Sequence, residues 1–192
     1  VDPDLQEVSG LLQYSGNIWW WNPSTSLMPV ATSEQQYNKA MEQLIIYNKR
    51  LATGNAVFEK RADNLLATLD RIALDLGASS ASIDAYIKNG FGCVLDLGAD
   101  DLFFNVKGQA YAYSLILKGL RKDFKQVITN RDIASSWDDM EASFESVISM
   151  DPMIISNCAV DGLIFQNHLA AEGFYLLRAR TQLREITNIL QK

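Results

Sequence analysis

The chain has 192 residues, 48% of them hydrophobic, with 17 basic and 23 acidic side chains and a net charge of -6. That length suits one domain or two small ones, and the apolar fraction excludes wholesale disorder. The acidic balance speaks against a nucleic-acid partner, which needs a basic face for phosphates, and against electrostatic docking on anionic lipid.

Residues 1–32 differ in character from the rest of the chain. Asp2-Pro3-Asp4 predicts a short helix with proline in its first turn, ending before Ser15-Gly16-Asn17. Trp19-Trp20-Trp21 and a Ser/Thr-rich stretch up to Pro29 then read as an irregular segment laid across a bundle. From Ser33 the pattern is helical. Ser33 and Gln36 fit a capping box, Tyr37, Ala40, Met41, Leu44, Leu51 and Ala52 share one face, and Gly54 is the expected terminator. A second helix carries Phe58, Ala62, Leu65, Leu69, Ile72 and Leu76 and is expected to stop at Gly77. Ser79, Ser80 and Ser82 then open a shorter helix through Ile83, Tyr86 and Ile87, ending at Asn89-Gly90, and three glycines mark residues 90–100 as a loop.

The next helix is the clearest. Phe103, Val106, Ala110, Tyr113, Leu117, Leu120, Phe124 and Val127 recur in steps of three and four, a heptad seam. Gly108 and Gly119 interrupt it at about 1 kcal/mol each relative to Ala, a cost that suggests close helix packing. Ser136 and Asp139 are expected to box the next helix, with Trp137, Met140, Phe144, Val147 and Ile148 inward and Asp151-Pro152 as its end. The last helix is predicted to begin between Asp161 and Asn167 and to bury Leu169, Leu176, Ala179, Leu183, Ile186 and Leu190. No alternating run flanked by turn residues reads as a strand. The fold class is all-α, a helical bundle of about five or six helices, organised as a Trp-rich segment, residues 1–32, packed on a single bundle domain, residues 33–192.

Three adjacent tryptophans in an extended segment cannot all face inward. Trp19 and Trp21 are expected to staple the segment to the helices and Trp20 to point away; the other readings are a partner interface and a stacking platform for sugar rings. His168 is the only histidine, and Glu172 lies one helical turn on. Two ligands fall short of a zinc site, so neither metal nor cofactor is expected. Glu172 interrupts the apolar seam between Leu169 and Leu176 and is expected to be buried or half-buried and paired with an arginine or with His168. Arg178, Arg180 and Arg184 read as a solvated face. Asp100-Asp101 and Asp138-Asp139 hold the residue types of a glycosidase pair, but their place at predicted helix starts accounts for them as caps and dipole partners. No phosphate-binding loop, nucleophile elbow or HExxH motif is present. Catalytic residues are therefore unassigned, the reading leans away from an enzyme, and the binding candidates are Trp19, Trp20, Trp21, His168 and Glu172. Cys93 and Cys158, 65 positions apart, fit either one disulfide in an oxidising compartment or two buried thiols. They are expected near helix ends or loops and unbridged, since Cys is among the most buried residue types.

Several runs resemble a known family. They are VDPDL at the start, WNPSTS (Trp21 to Ser26), YNKRLATGNAVFEKRADNLLATLDRIALDLG (Tyr47 to Gly77), DDLFFNVKGQAYAYSLILKGLRKDF (Asp100 to Phe124) and NHLAAEGFYLLRARTQLREI (Asn167 to Ile186). Across nearly the whole chain these are similar to a bacterial membrane-anchored family, domain of unknown function 2333. The resemblance implies one transmembrane helix upstream of this region, in Gram-negative bacteria, and no established activity. The start at Val1-Asp2 reads as a mature or truncated one. The expectation is a non-enzymatic interaction or scaffold domain of the cell envelope, periplasmic, tethered to the inner membrane by a segment missing from this chain. Its partner is expected to be an envelope protein, with no nucleic acid, membrane contact only through the anchor, and a homo-oligomer compatible with the pattern. The alternative is an enzyme or ligand-binding domain acting on envelope material, which would bring Glu172, His168 and Asp100-Asp101 to one concave pocket.

Overall fold

Seven helices form among the residues that the computed structural model describes, 2–21, 28–89, 92–93, 96–160 and 165–192. They are α1 (Pro3–Leu12), α2 (Ser33–Ala52), α3 (Ala62–Asn89), α4 (Leu97–Asp123), α5 (Lys125–Asn130), α6 (Ala134–Ile148) and α7 (His168–Leu190). The single extended pairing among described residues is an isolated antiparallel bridge between Asn157 and Asn167, so the all-α expectation holds. The Ser/Thr-rich stretch after Trp21, Gly90 and the Asp161 limit for the last helix lie outside the described residues. Backbone contacts divide the chain into two compact units, Val1–Glu59 and Lys60–Lys192. Helix α2 falls in the smaller unit, where it packs along α1 and bonds to the segment that joins them.

In the smaller unit, Asp2 caps α1 by accepting from the Asp4 amide (3.0 Å), with Pro3 in the first turn. Arg50, near the C-terminal end of α2, binds both oxygens of Asp2 (2.7 and 3.1 Å) and also Asp4. Each charge sits at the helix end whose dipole favours it. The capping box of α2 is built one residue earlier than expected, from Thr32 and Gln35 (both bonds 3.1 Å). Ser33 is unavailable as a cap because its hydroxyl donates to Ser15 O (2.6 Å) and accepts from the Ile18 amide (2.9 Å). Only Ser33, Ala40 and Tyr47 of α2 are buried, a narrow line at seven-residue spacing, and Met41 and Leu44 are exposed against expectation. Gly54 ends the helix as predicted, with φ of +76°, where a Cβ would strain the backbone.

In the larger unit, α3 is one helix of 28 residues and runs through both Gly77 and the serine cluster. The serines are not caps: Ser79 and Ser82 donate back to the carbonyls of Asp75 (3.2 Å) and Ala78 (3.1 Å). Gly77 has a packing role rather than a terminating one. A Cβ there would lie 3.1 Å from the guanidinium carbon of Arg180 on α7. Phe58 lies ahead of α3 and is exposed. Helix α4 begins at Leu97, inside the predicted loop, because Asp96 caps it through the amides of Gly98 and Ala99. Its seam faces inward as read, with Phe103, Val106, Ala110 and Leu117 buried and Tyr113 and Leu120 packed at the margin. The helix closes at Asp123, so Val127 belongs to the short α5. Gly108 and Gly119 have nothing within 4 Å of where a Cβ would stand. Close packing within the chain therefore does not explain them. Helix α6 starts at Ala134, with Ser136 and Asp139 inside it rather than boxing its start, and buries Trp137, Met140, Phe144 and Val147.

Helix α7 is the common wall of this unit, packing along α3 and α6, while α6 packs along α4. Asn167 caps α7, accepting from the Ala170 amide (2.8 Å). All six of its predicted seam residues are buried. Cys93 and Cys158 do lie in loops, but they are bridged, contrary to expectation, with Cα atoms 4.1 Å apart. The Asn157 amide donates to Cys93 O (3.0 Å), and the Asn167 side chain holds Cys158 O. These bonds press the two loops together and bring the sulfurs within bonding reach.

Leu117→Ala should lower unfolding free energy by about 2 to 5 kcal/mol, and Gly119→Ala, at an open helix position, should raise it by about 1 kcal/mol, both read from denaturant titration. Cys158→Ser should lower it by roughly 2 to 4 kcal/mol, since the bond closes a long loop; an unchanged midpoint would show that the bridge does not constrain the unfolded chain.

Candidate functional site

The tryptophans do not staple. Trp19, Trp20 and Trp21 are 76%, 60% and 46% exposed, so the expected burial of Trp19 and Trp21 is corrected. Polar bonds of the neighbouring chain hold the segment without them. Tyr14 OH donates to Ala31 O (2.6 Å), Tyr37 OH to Tyr14 O (2.7 Å), the Val30 amide to Trp20 O (2.9 Å) and the Ser33 amide to Ile18 O (3.0 Å). With the backbone fixed this way, the indoles are free to face outward. The Trp20 and Trp21 rings lie 6.0 Å apart and tilted. Trp19 and Trp20 also border a hollow of about 280 Å³ with Ile18, Thr32 and Glu34.

His168 opens α7 and is part of a joint. Its Nδ1 accepts from the Ser156 amide (3.1 Å), and its own amide donates to Ser156 O (3.0 Å). The Ser156 hydroxyl, 2.9 Å from Nδ1, donates to Gln166 O. Since a backbone amide donates to it, Nδ1 is the acceptor nitrogen of the ring and Nε2 is left as the donor.

Glu172 is fully buried, as expected from its seam position, but the expected pairing is absent. Among the described residues neither carboxyl oxygen has a hydrogen-bond partner. Burial pushes its pKa up to about 8, against a smaller opposing pull from the charge of Lys107 on α4. Lys107 is itself engaged by Met150 O (2.6 Å) and Asp151 (3.4 Å). Glu172 is thus a neutral carboxylic acid near pH 7, sealed from solvent.

The aspartate doublets also separate. Asp100 lies in the first turn of α4, as expected of a dipole partner. Asp138 is past the start of α6 and serves an ion pair instead. Arg121 of α4 binds Asp138 (2.6 Å) and Glu141 (2.8 Å), and Glu141 in turn accepts from the Trp137 indole (3.2 Å).

Arg180, read as solvated, has its Nε buried without a partner among the described residues and borders a hollow of about 480 Å³ with Gly77, Ile83, Ile87, Phe174 and Leu177. No signal in the sequence marks it, since Gly77 of α3 is seen to face Arg180 only in the fold. A third hollow of about 580 Å³ lies at Lys60, Asp123, Lys125 and Asn130. None of the three is lined by Glu172, His168, Asp100 or Asp101. Among the described residues no three of His, Cys, Asp and Glu cluster as a metal ion requires.

A family described as an uncharacterised protein conserved in bacteria (DUF2333) matches residues 96–192. Neither a curated protein nor a solved structure matches the chain.

A carboxyl whose folded pKa is raised holds its proton in the fold after the unfolded chain has lost it. The stability contribution of Glu172 is then full below its ordinary value of 4.5 and lost as pH rises through about 8. The slope between those values is at most about 1.4 kcal/mol per pH unit. Glu172→Gln should flatten this dependence, and Glu172→Met should stabilise more at about pH 8 than at about pH 5. Equal pH profiles of wild type and Glu172→Gln would show that the carboxyl does not titrate on unfolding.

Proposed function

The chain belongs to the DUF2333 family of uncharacterised bacterial proteins, and from that premise we propose that it is a non-enzymatic interaction domain of the cell envelope. The observation that carries the reading is the outward display of Trp19, Trp20 and Trp21 on a segment whose own hydrogen bonds keep them there. Large exposed apolar side chains grouped on a surface mark contact sites, and tryptophan is enriched in such contacts. The enzyme alternative requires Glu172, His168 and Asp100-Asp101 to converge. One is sealed and unpartnered, one is bonded into a loop joint, and the pair stands at a helix start.

Location belongs to the same proposal. The Cys93–Cys158 disulfide is the kind of bond that persists in oxidising compartments. It supports a periplasmic domain, which we place on the outer side of the inner membrane, tethered by a segment upstream of this one. Among the described residues no helix is long and apolar enough to cross a membrane.

A reporter active only outside the cytoplasm, fused after Lys192 of the full-length gene product, should be active; cytoplasmic activity would overturn the location. For the surface, Trp19→Ala and Trp20→Ala should change stability by less than about 0.5 kcal/mol, as exposed positions do. The same variants should lose the envelope protein that crosslinks to the full-length wild type. Marked destabilisation with crosslinking retained would return the indoles to a structural role.

A further inference from the structure

Helix α4 is apolar on two opposite faces. One is the core seam. The other runs Leu97, Asp101, Phe104, Gly108, Tyr111, Leu115, Lys118 and Lys122, again in steps of three and four. Leu97, Phe104, Tyr111 and Leu115 are all exposed along it. So are Asp101, Gly108, Lys118 and Lys122. This is a second heptad seam without a partner among the described residues of its own unit, on a helix about 40 Å long. Lys107 braces it from the side, its ammonium 5.8 Å from the Phe104 ring centre.

We propose that this face pairs with the same face of a second copy of the chain, the two α4 helices antiparallel about a two-fold axis. Residue chemistry selects both occupant and direction. In an antiparallel pair the two seam positions alternate across the axis. Leu97 then meets Lys122, Asp101 meets Lys118, Phe104 meets Leu115, and Gly108 meets Tyr111, each twice by symmetry. Unlike charges face one another at both ends. The largest side chain of the seam lies over the position that has none, and the space above Gly108 is open to receive it. The lysine stems cover Leu97 while their ammonium groups stay in water. A parallel pair would instead stack Asp101 on Asp101, Lys118 on Lys118 and glycine on glycine, which repels at the ends and leaves a gap in the middle. Lys118 is available for the exchange, since its contact with Glu145 is long (3.9 Å) and both side chains are half or more exposed. Gly108 gains a reason that packing within the chain does not supply. The pairing does not depend on location or on the tryptophan surface.

A single helical seam is narrower than the interface of an obligate dimer, so the association is concentration-dependent. Sedimentation velocity on the purified chain, disulfide intact, should show monomer and dimer in exchange. Leu115→Glu and Phe104→Glu should each weaken the dimer at least about tenfold, with circular dichroism and melting unchanged because both side chains are exposed. Asp101→Lys and Lys118→Asp should each weaken it, and the two together should restore it to within about threefold of wild type. A monomer at every concentration up to about 1 mM, or a dimer indifferent to Leu115→Glu and Phe104→Glu, would overturn the proposal. Single charge reversals that the double reversal fails to repair would overturn the antiparallel register.

Discussion

Burial of one face of α7 is the constraint on which the larger unit depends. Leu169, Leu176, Ala179, Leu183 and Ile186 give that helix an apolar stripe broken only at Glu172, and α3 and α6 both lie along it. An isolated helix gains little from propensity alone and takes its stability from such packing. Gly77 and Gly173 mark how near the partner comes. A Cβ at either would press on a side chain of the opposite helix, Arg180 in one case and Ile83 in the other. The start of α7 is held just as firmly, with Asn167 capping the helix while its amide group binds Asn157 and Cys158 O.

Most of the polar residues that attract a chemical reading are absorbed by joints. Ser156 and His168 close the turn before α7, Asp96 caps α4 and takes the Tyr86 hydroxyl (2.6 Å), and Asp138 and Glu141 fix Arg121 between α4 and α6. Glu172 is the exception. It carries a polar head into the core with nothing to bind, and a protonated acid is the least costly form there. Large apolar side chains left exposed include the indoles of the smaller unit and Leu97, Phe104, Tyr111 and Leu115 on the outer stripe of α4.

Helical periodicity made the element types legible, and the core positions of α4, α6 and α7 followed from steps of three and four. Boundaries were less so, because the deciding contacts are distant in sequence. Thr32 caps α2 only because Ser33 is engaged by Ser15 and Ile18. Gly77 reads as a stop until Arg180 is seen against it. The disulfide was hidden for the same reason, since loop closure rests on Asn157 and Asn167 rather than on cysteine spacing. The tryptophans were misread by weighing their apolar area alone, when the hydroxyls of Tyr14, Ser33 and Tyr37 already fix their segment. Burial of Glu172 was readable from its neighbours. Its lack of a partner was not, because no spacing rule says which side chains stay out of reach.

The bond between Cys93 and Cys158 makes a covalent ring of α4, α5 and α6, from which α3 and α7 leave as two tails at nearly the same point. Tension applied along the chain, entering through α3 and leaving through α7, would cross the sulfur bridge and bypass the ring. The first elements to yield under load would be α3 and α7, peeling from each other. The ring that carries the outer stripe of α4 would stay closed until the bridge itself was reduced, while α6 would lose its packing on α7 as those helices part.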